Sequence, residues 1–165
     1  MKHTDAHVYP VPVESVIALL RDQSATVDKY EGMGHQDVQV LELAADDDAI
    51  RIVSSRVVTV DLPGFAKKAL KPTNTIVQTD EWHREADGSW SGTFTGDVKG
   101  SPVNISGTMT LTPVANGAEH RVAIDVQVKI PLVGGKIADW AGKNDVRRTL
   151  DAEFAFNDAR LTAQS

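Results

Sequence analysis

The chain of 165 residues contains no cysteine. Disulfide staples and thiolate chemistry are therefore excluded, and the composition is compatible with the cytoplasm, which is the expected location. No apolar run approaches the ~18 residues needed to cross a bilayer, so no integral membrane association is expected. The first ten residues, MKHTDAHVYP, lack the apolar centre of a signal peptide. An excess of positive charge is also missing. With 17 Lys and Arg against 23 Asp and Glu the net charge is −6, which opposes the counterion release behind non-specific nucleic-acid binding. What remains is an ordinary globular composition, 41% hydrophobic and 24% charged, with the length of one domain over residues 1–165. There is no internal repeat, low-complexity segment or linker.

The catalytic motifs are mostly absent too. His3, His7, His35, His83 and His120 do not form a metalloprotease pattern. His3, Asp5 and His7 alternate and would share one face of a first strand; the expectation is a solvated face near a terminus, not a metal site. Asp46 to Asp48 lack calcium-loop spacing and read as a solvated turn. A Gly-x-Ser-x-Gly elbow is missing, and Gly142-Lys143 has neither the earlier glycine nor the following Ser or Thr of a phosphate loop. Asn104-Ile105-Ser106 fits a glycosylation triplet but lies inside a strand pattern. No metal, cofactor or catalytic residue is assigned.

What is present is a clear order of elements. KHTDAHVY (2–9) alternates loosely, and Pro10 and Pro12 end it; Pro12 suits the first turn of a helix. Val13, Val16, Ile17 and Leu20 then follow helical spacing, and Ser24 is the expected cap of a second short helix ending at Gly32 or Gly34. From His35 the period changes to two. HQDVQVLELAA and AIRIVSSRVVTV flank the aspartates as a hairpin, and LPGFAKKAL (62–70) interrupts with a short helical pattern. A second hairpin turns at Asp87-Gly88, and Asn116-Gly117 turns VNISGTMTLTPV into EHRVAIDVQVKI. In this last strand Val122, Ile124, Val126, Val128 and Ile130 share one face. Strands joined by tight turns make an antiparallel meander with one dry face.

Residues from about 135 to 163 supply the cover: one helix of roughly 42 Å, with an imperfect apolar stripe of Ile137, Trp140, Ala141, Val146, Leu150, Phe154 and Leu161. Pro131 would end the last strand, and Gly134-Gly135 would form the corner.

Glycines occupy the dry face where a core would hold bulk. One strand reads Trp90, Gly92, Phe94, Gly96, Val98 and the next Val103, Ile105, Gly107, Met109, Leu111. Such gaps let a sheet curl around a helix. They leave either a ligand cavity or a core filled by Trp140 and Phe154 packed on the glycines. A polar note comes from two further strands. If Ile50, Ile52, Val58 and Val60 face inward, Ser54 and Arg56 do so as well; if Ile76 and Trp82 do, so do Gln78 and Asp80. Arginine is mostly exposed, so opposite phase or a bulge at Arg56 is the expectation; a buried Arg56 would need a partner, for which Asp80 is the candidate. Trp82 and Trp90 flank a hairpin, either as a wall for a flat ligand or as cross-strand packing.

Strand, two short helices, meander and long C-terminal helix is an order that resembles the START-like (SRPBCC, helix-grip) superfamily over essentially the whole chain. More narrowly, the chain resembles an actinobacterial branch of unknown function, through Leu62-Pro63, Glu81-Trp82, Gly100-Ser101-Pro102-Val103 and, most specifically, Ile130-Pro131-Leu132-Val133-Gly134-Gly135-Lys136-Ile137. One departure is Val11 before Pro12, where such proteins often carry Ser or Asp, so the first helix has a weak cap. The resemblance implies an α+β helix-grip fold: a curved antiparallel sheet of about seven strands wrapped around the C-terminal helix, with two short helices after the first strand. It also implies an apolar small molecule, such as a lipid, polyketide or aromatic compound, held between sheet and helix. Arg56, Val58, Asp80, Trp82 and Trp90 would line that cavity from one part of the sheet. Phe94, Met109 and Ile124 would line it from the rest, and Leu150 and Phe154 from the helix. LPGFAKKAL would be a lid with Phe65 and Leu70 inward. The branch supplies no catalytic residues, so a carrier that is a monomer or weak homodimer is expected ahead of an interaction module or a cyclase-like enzyme.

Overall fold

A computed structural model of the protein describes residues 2–163. The elements are β1 (Lys2–Tyr9), α1 (Val13–Leu20), α2 (Gln23–Gly32), β2 (Gln36–Ala45), β3 (Ala49–Thr59), α3 (Gly64–Lys67), β4 (Thr73–Arg84), β5 (Trp90–Val98), β6 (Val103–Val114) and β7 (Gly117–Val128). The C-terminal helix follows in three pieces: α4 (Gly134–Trp140), a π-helical turn (Ala141–Val146) and α5 (Arg147–Ala163). The seven strands form one antiparallel sheet in the order β1-β7-β6-β5-β4-β3-β2. The meander from β2 to β7 is thus closed by the first strand, which pairs with the last from Lys2↔Asp125 to Tyr9↔Ala118.

Local chemistry explains most boundaries. Asp46 Oδ1 accepts from the Asp48 and Ala49 amides, both at 2.8 Å, and this turns β2 into β3. Arg21 donates to the Asp46 carbonyl at 2.7 Å, tying the end of α1 to that hairpin. The α2 cap is Asp22, not Ser24: its Oδ1 accepts from the Ser24 and Ala25 amides at 3.0 and 3.4 Å, and Ser24 instead donates its own hydroxyl to the same oxygen. The α1 N-terminus at Pro12 has no side-chain cap. At the far edge β2 carries two register shifts, and bulges of this kind blunt an exposed edge against pairing with another chain.

The corner before the C-terminal helix works differently from the two-glycine hinge read in the sequence. The left-handed residue is Leu132, at φ 70°, and its side chain is fully exposed. Gly134 already lies inside the helix; a Cβ there would sit 2.1 Å from the Val128 carbonyl oxygen, so it is needed for close approach of helix to strand.

Two apolar clusters result. The larger joins Tyr9, Ile50, Trp82, Trp90, Phe94, Leu111 and Val122 of the sheet to residues of α1 and to Leu150, Phe154 and Leu161 of α5. The smaller joins Leu62 just before α3 and Ala66 within it to Ile137 of α4, with Phe65, Leu70, Val128, Ile130 and Trp140 around them. Two of the inward glycines are covered by rings from the neighbouring strand, and not by Trp140 or Phe154. Trp82 pairs with Gly92 and Phe94 with Gly107. A Cβ on Gly107 would meet the Phe94 ring at 2.4 Å and the Ala123 carbonyl at 2.1 Å.

Gly107→Ala should therefore lose about 2 kcal/mol in equilibrium urea unfolding, the ordinary cost of overpacking. Gly135→Ala, whose Cβ would meet nothing within 4 Å, should gain roughly 0.5 kcal/mol through the unfolded state. Equal midpoints for the two variants would contradict this packing.

Candidate functional site: a cavity beside a buried polar chain

Between the two clusters lies a cavity of about 130 Å³. The sheet contributes Val58, Ile76, Val98, Val103, Ile105, Val126 and Val128; Leu62 and Leu70 close it on the α3 side, and Ile137, Trp140 and Val146 on the helix side. Its polar lining is confined to Lys71, Asn74, Ser101 and Asp145. The third inward glycine explains part of the space. Unlike Gly92 and Gly107, Gly96 has no ring over it; a Cβ there would meet only Ile105 and Ile76, both cavity residues, at 3.4 and 3.8 Å. The π-helical turn lies directly above. Ala141, Asp145 and Val146 of that turn line the cavity, and the Asn144 side chain donates to the Trp140 carbonyl at 2.9 Å as the helix widens. π-turns of this type often mark functional sites.

Beside the cavity on the same face runs a partly buried polar chain. Arg56 and Ser54 do point inward, 7% and 1% exposed, so β3 keeps one phase throughout, contrary to the expectation for Arg56. Its partner is Gln78, not Asp80. Arg56 Nη2 donates to Gln78 Oε1 at 2.8 Å, and Gln78 Nε2 donates onward to Asp80 Oδ1 at 2.8 Å. The guanidinium also stands 3.9 Å from the centre of the Tyr30 ring of α2, a desolvated cation–π contact that offsets part of its burial. Arg56 Nε and Nη1 are buried without a hydrogen-bond partner among the described residues. One residue along α2, Lys29 pairs with Glu153 of α5 at 3.0 Å. Burial is the largest single effect and opposes the charge on both, but the opposite partner, the hydrogen bond to it and further charges nearby together exceed it: Lys29 is held above the usual lysine range and Glu153 below the usual carboxylate range. Burial raises Asp80, against the pull of Gln78 and Lys29.

A second polar set lies under α5. Asn157 Nδ2 donates to the Tyr9 hydroxyl at 3.0 Å, which leaves the phenol proton for His120 Nδ1 at 3.3 Å. Burial raises Tyr9 above the usual phenol range. The face of His3, Asp5 and His7 turns inward instead of toward solvent: His7 stacks on Phe154 with ring centres 5.1 Å apart and bonds Asp158 at 2.6 Å. Among the described residues no group of three His, Asp or Glu side chains could hold a metal.

The sequence-derived site residues thus separate. Val58 lines the cavity. Arg56 and Asp80 belong to the polar chain. Trp82, Trp90, Phe94, Leu150 and Phe154 are in the closed core, with Met109 and Ile124 packed against it. Sequence reading misses most of the cavity wall, although Val98, Val103, Val126 and Val128 stand on the same alternating faces. It puts Gln78 on the inner face but does not show it as the link.

Residues 4–161 match the family described as "Protein of unknown function (DUF2505)". The chain belongs to that family. An uncharacterized protein of Mycobacterium tuberculosis is 27% identical over 102 residues, 60% of this chain; the chain spans about 59% of the length of the curated relatives it matches. Among solved structures, a protein of Thermus thermophilus superposes with a TM-score of 0.66 at 15% identity, covering 100% of this chain and 99% of that one. A STAR-related lipid transfer protein of Xanthomonas axonopodis gives 0.62 at 15% identity, over 94% and 85%. The fold of this DUF2505 member is the START-like helix-grip fold.

The histidines give a pH test. Burial lowers His120 from 6.5 to about 4, and burial with the Arg56 and Lys29 charges lowers His35 to about 4. Both are neutral in the folded state at pH 7, while the unfolded chain takes up protons below 6.5. Their stabilisation is complete above pH 6.5 and is lost as pH falls toward about 4. His120→Gln should flatten that decline by up to ~1.4 kcal/mol per pH unit, one proton's worth. Parallel stability–pH curves for variant and wild type would remove His120 from this role.

Proposed function

We propose that the protein is a binding or carrier protein for an apolar small molecule, whose ring or chain end enters the cavity between β3–β7 and the C-terminal helix. One observation carries this reading: a space of about 130 Å³ walled by aliphatic side chains, with its polar lining limited to four residues. An apolar cavity of ~150 Å³ stays dry and takes up benzene, so a site of this size suits one ring or a short alkyl segment. The likeness in fold to a protein called a lipid transfer protein supports the same class.

In this reading Val58 contacts the ligand directly. Arg56 and Asp80 form a polar flank beside the cavity without lining it. Trp82, Trp90, Phe94, Met109, Ile124, Leu150 and Phe154 form the packed floor that limits how deep it reaches; Ile105 and Val146 touch both floor and cavity. A longer ligand needs α3 or Trp140 to shift, since these close the space on the outer side.

The test is native mass spectrometry of gently purified protein followed by organic extraction, with titration of the neutral dye N-phenylnaphthylamine in parallel. A discrete added mass of a few hundred daltons that extraction removes, or saturable dye binding at one site, is expected. Val58→Trp should fill the cavity and weaken dye binding at least tenfold while the protein still unfolds cooperatively. A bare polypeptide mass together with no dye uptake would sink the carrier reading.

A further inference from the structure

We propose that the end of the molecule carrying Leu132 is a docking face for an anionic lipid bilayer. This does not rest on the carrier reading; it follows from how charge and one apolar side chain are distributed.

Three loops meet at this end of the sheet: 60–72 between β3 and β4, 99–102 between β5 and β6, and 129–133 between β7 and α4. Val60 donates to the Pro72 carbonyl within the first loop at 2.8 Å, Lys99 to Thr75 at the start of β4 at 2.9 Å, and Lys129 of the third loop to Pro102 of the second at 2.9 Å. Lys67, Lys68, Lys71, Lys99, Lys129 and Lys136 all stand on these loops or on the first helical turn after them, and all are exposed. The same segments hold a single acidic residue, Asp61. A chain of net charge −6 has therefore gathered a charge of +5 onto one end. Lys99 is partly offset by Asp97, just inside β5.

Leu132 lies on the segment between Lys129 and Lys136. It is the one fully exposed large apolar side chain among the described residues, at 104% of reference exposure. Its backbone is left-handed at φ 70°, a conformation disfavoured for a branched side chain. A fully exposed leucine, held by an unfavourable backbone on a segment that carries Lys129 and Lys136, matches a surface that is anionic at its face and apolar just beneath. A bilayer with acidic headgroups has that profile. A nucleic acid would also take the lysines, but it gives Leu132 nothing, and the nearby Phe65 ring has Lys136 over one face at 4.2 Å and is packed against the smaller apolar cluster. The smaller apolar cluster, with Phe65, Ile130 and Val133, lies directly behind the tip. The docked face would be the one through which Lys71 and Ser101 line the cavity.

The experiment is flotation of the full chain with vesicles of phosphatidylcholine alone or mixed with phosphatidylglycerol. Binding is expected to the mixed vesicles at low salt, not to the neutral ones, and to fall steeply with added salt. Lys67→Ala with Lys68→Ala should lower partitioning by about fivefold per lysine. Leu132→Ser should lower it roughly tenfold, as expected for withdrawing one leucine from the acyl boundary. Neither change touches a buried contact, and unchanged urea midpoints would check that the fold is intact. Leu132→Trp adds a direct readout: its emission should shift to the blue when mixed vesicles are added. Absence of binding to the mixed vesicles at low salt would overturn the proposal. So would undiminished binding by Leu132→Ser with unshifted Leu132→Trp emission, or a preference for a single-stranded oligonucleotide over the mixed vesicles.

Discussion

The seating of two aromatic rings on two backbone glycines is the contact on which the rest of this structure depends. Trp82 lies on Gly92 and Phe94 on Gly107. Any larger residue at Gly107 would collide with the Phe94 ring and with the Ala123 carbonyl of β7, so ring and sheet curvature are set together. The rings close the half of the dry face beneath α5, and Phe154 and Leu150 come down onto a solid floor. The other half has no such rings. There Gly96 faces only aliphatic neighbours, and the helix above it widens into a π-turn. The cavity is where ring coverage ends.

Polar contacts then fix the helices over this divided face. Lys29–Glu153 ties α2 to α5, Asn157–Tyr9 ties α5 to β1, and Arg56–Gln78–Asp80 with Tyr30 ties β3 and β4 to α2. A partly exposed pair such as Lys29–Glu153 adds little net stability compared with well-packed apolar groups. The consequence of these contacts is therefore specificity of placement: α5 cannot slide along the sheet without stranding Glu153, Asn157 or His7. Among the described residues the α3–α4 end carries no comparable set of side-chain ties. Its side chains meet in the smaller apolar cluster and a lysine over a ring, which have little directional constraint, while main-chain bonds hold its loops.

The same asymmetry explains what is legible in the sequence. Period-two runs, Asp-Gly and Asn-Gly turns and the final helix specify the meander and its cover, because those patterns report only which face each residue takes. Partners across the face are not local information. Average behaviour assigns Arg56 to solvent, and nothing in its own strand announces Tyr30 on α2 or Gln78 on β4. Gly134 reads as a hinge by residue type, whereas the strain sits on Leu132, where a branched side chain gives no sign of a left-handed backbone. The π-turn is visible in outline: the apolar stripe steps by five from Ala141 to Val146 and by four from Val146 to Leu150 and Phe154. Read as an imperfect stripe it only weakens the helix pattern; read as an insertion it marks the place where the helix lifts from the sheet.

One physical distinction organises both ends. Floor and polar ties make the α5 half a fixed template that can accept only what fits above it. The α3–α4 half has an aliphatic wall, a short four-residue helix and a loop held by main-chain bonds. In water, displacing that wall would expose Leu62, Phe65 and Ile137, opposed by roughly 25 cal/mol per Å² of apolar surface, besides the main-chain bonds it would break. Against an apolar medium the same surface is not penalised. In the carrier reading the size of the cavity and the medium at the Leu132 end are therefore linked: a molecule longer than the cavity enters only where the apolar wall can be displaced at little cost.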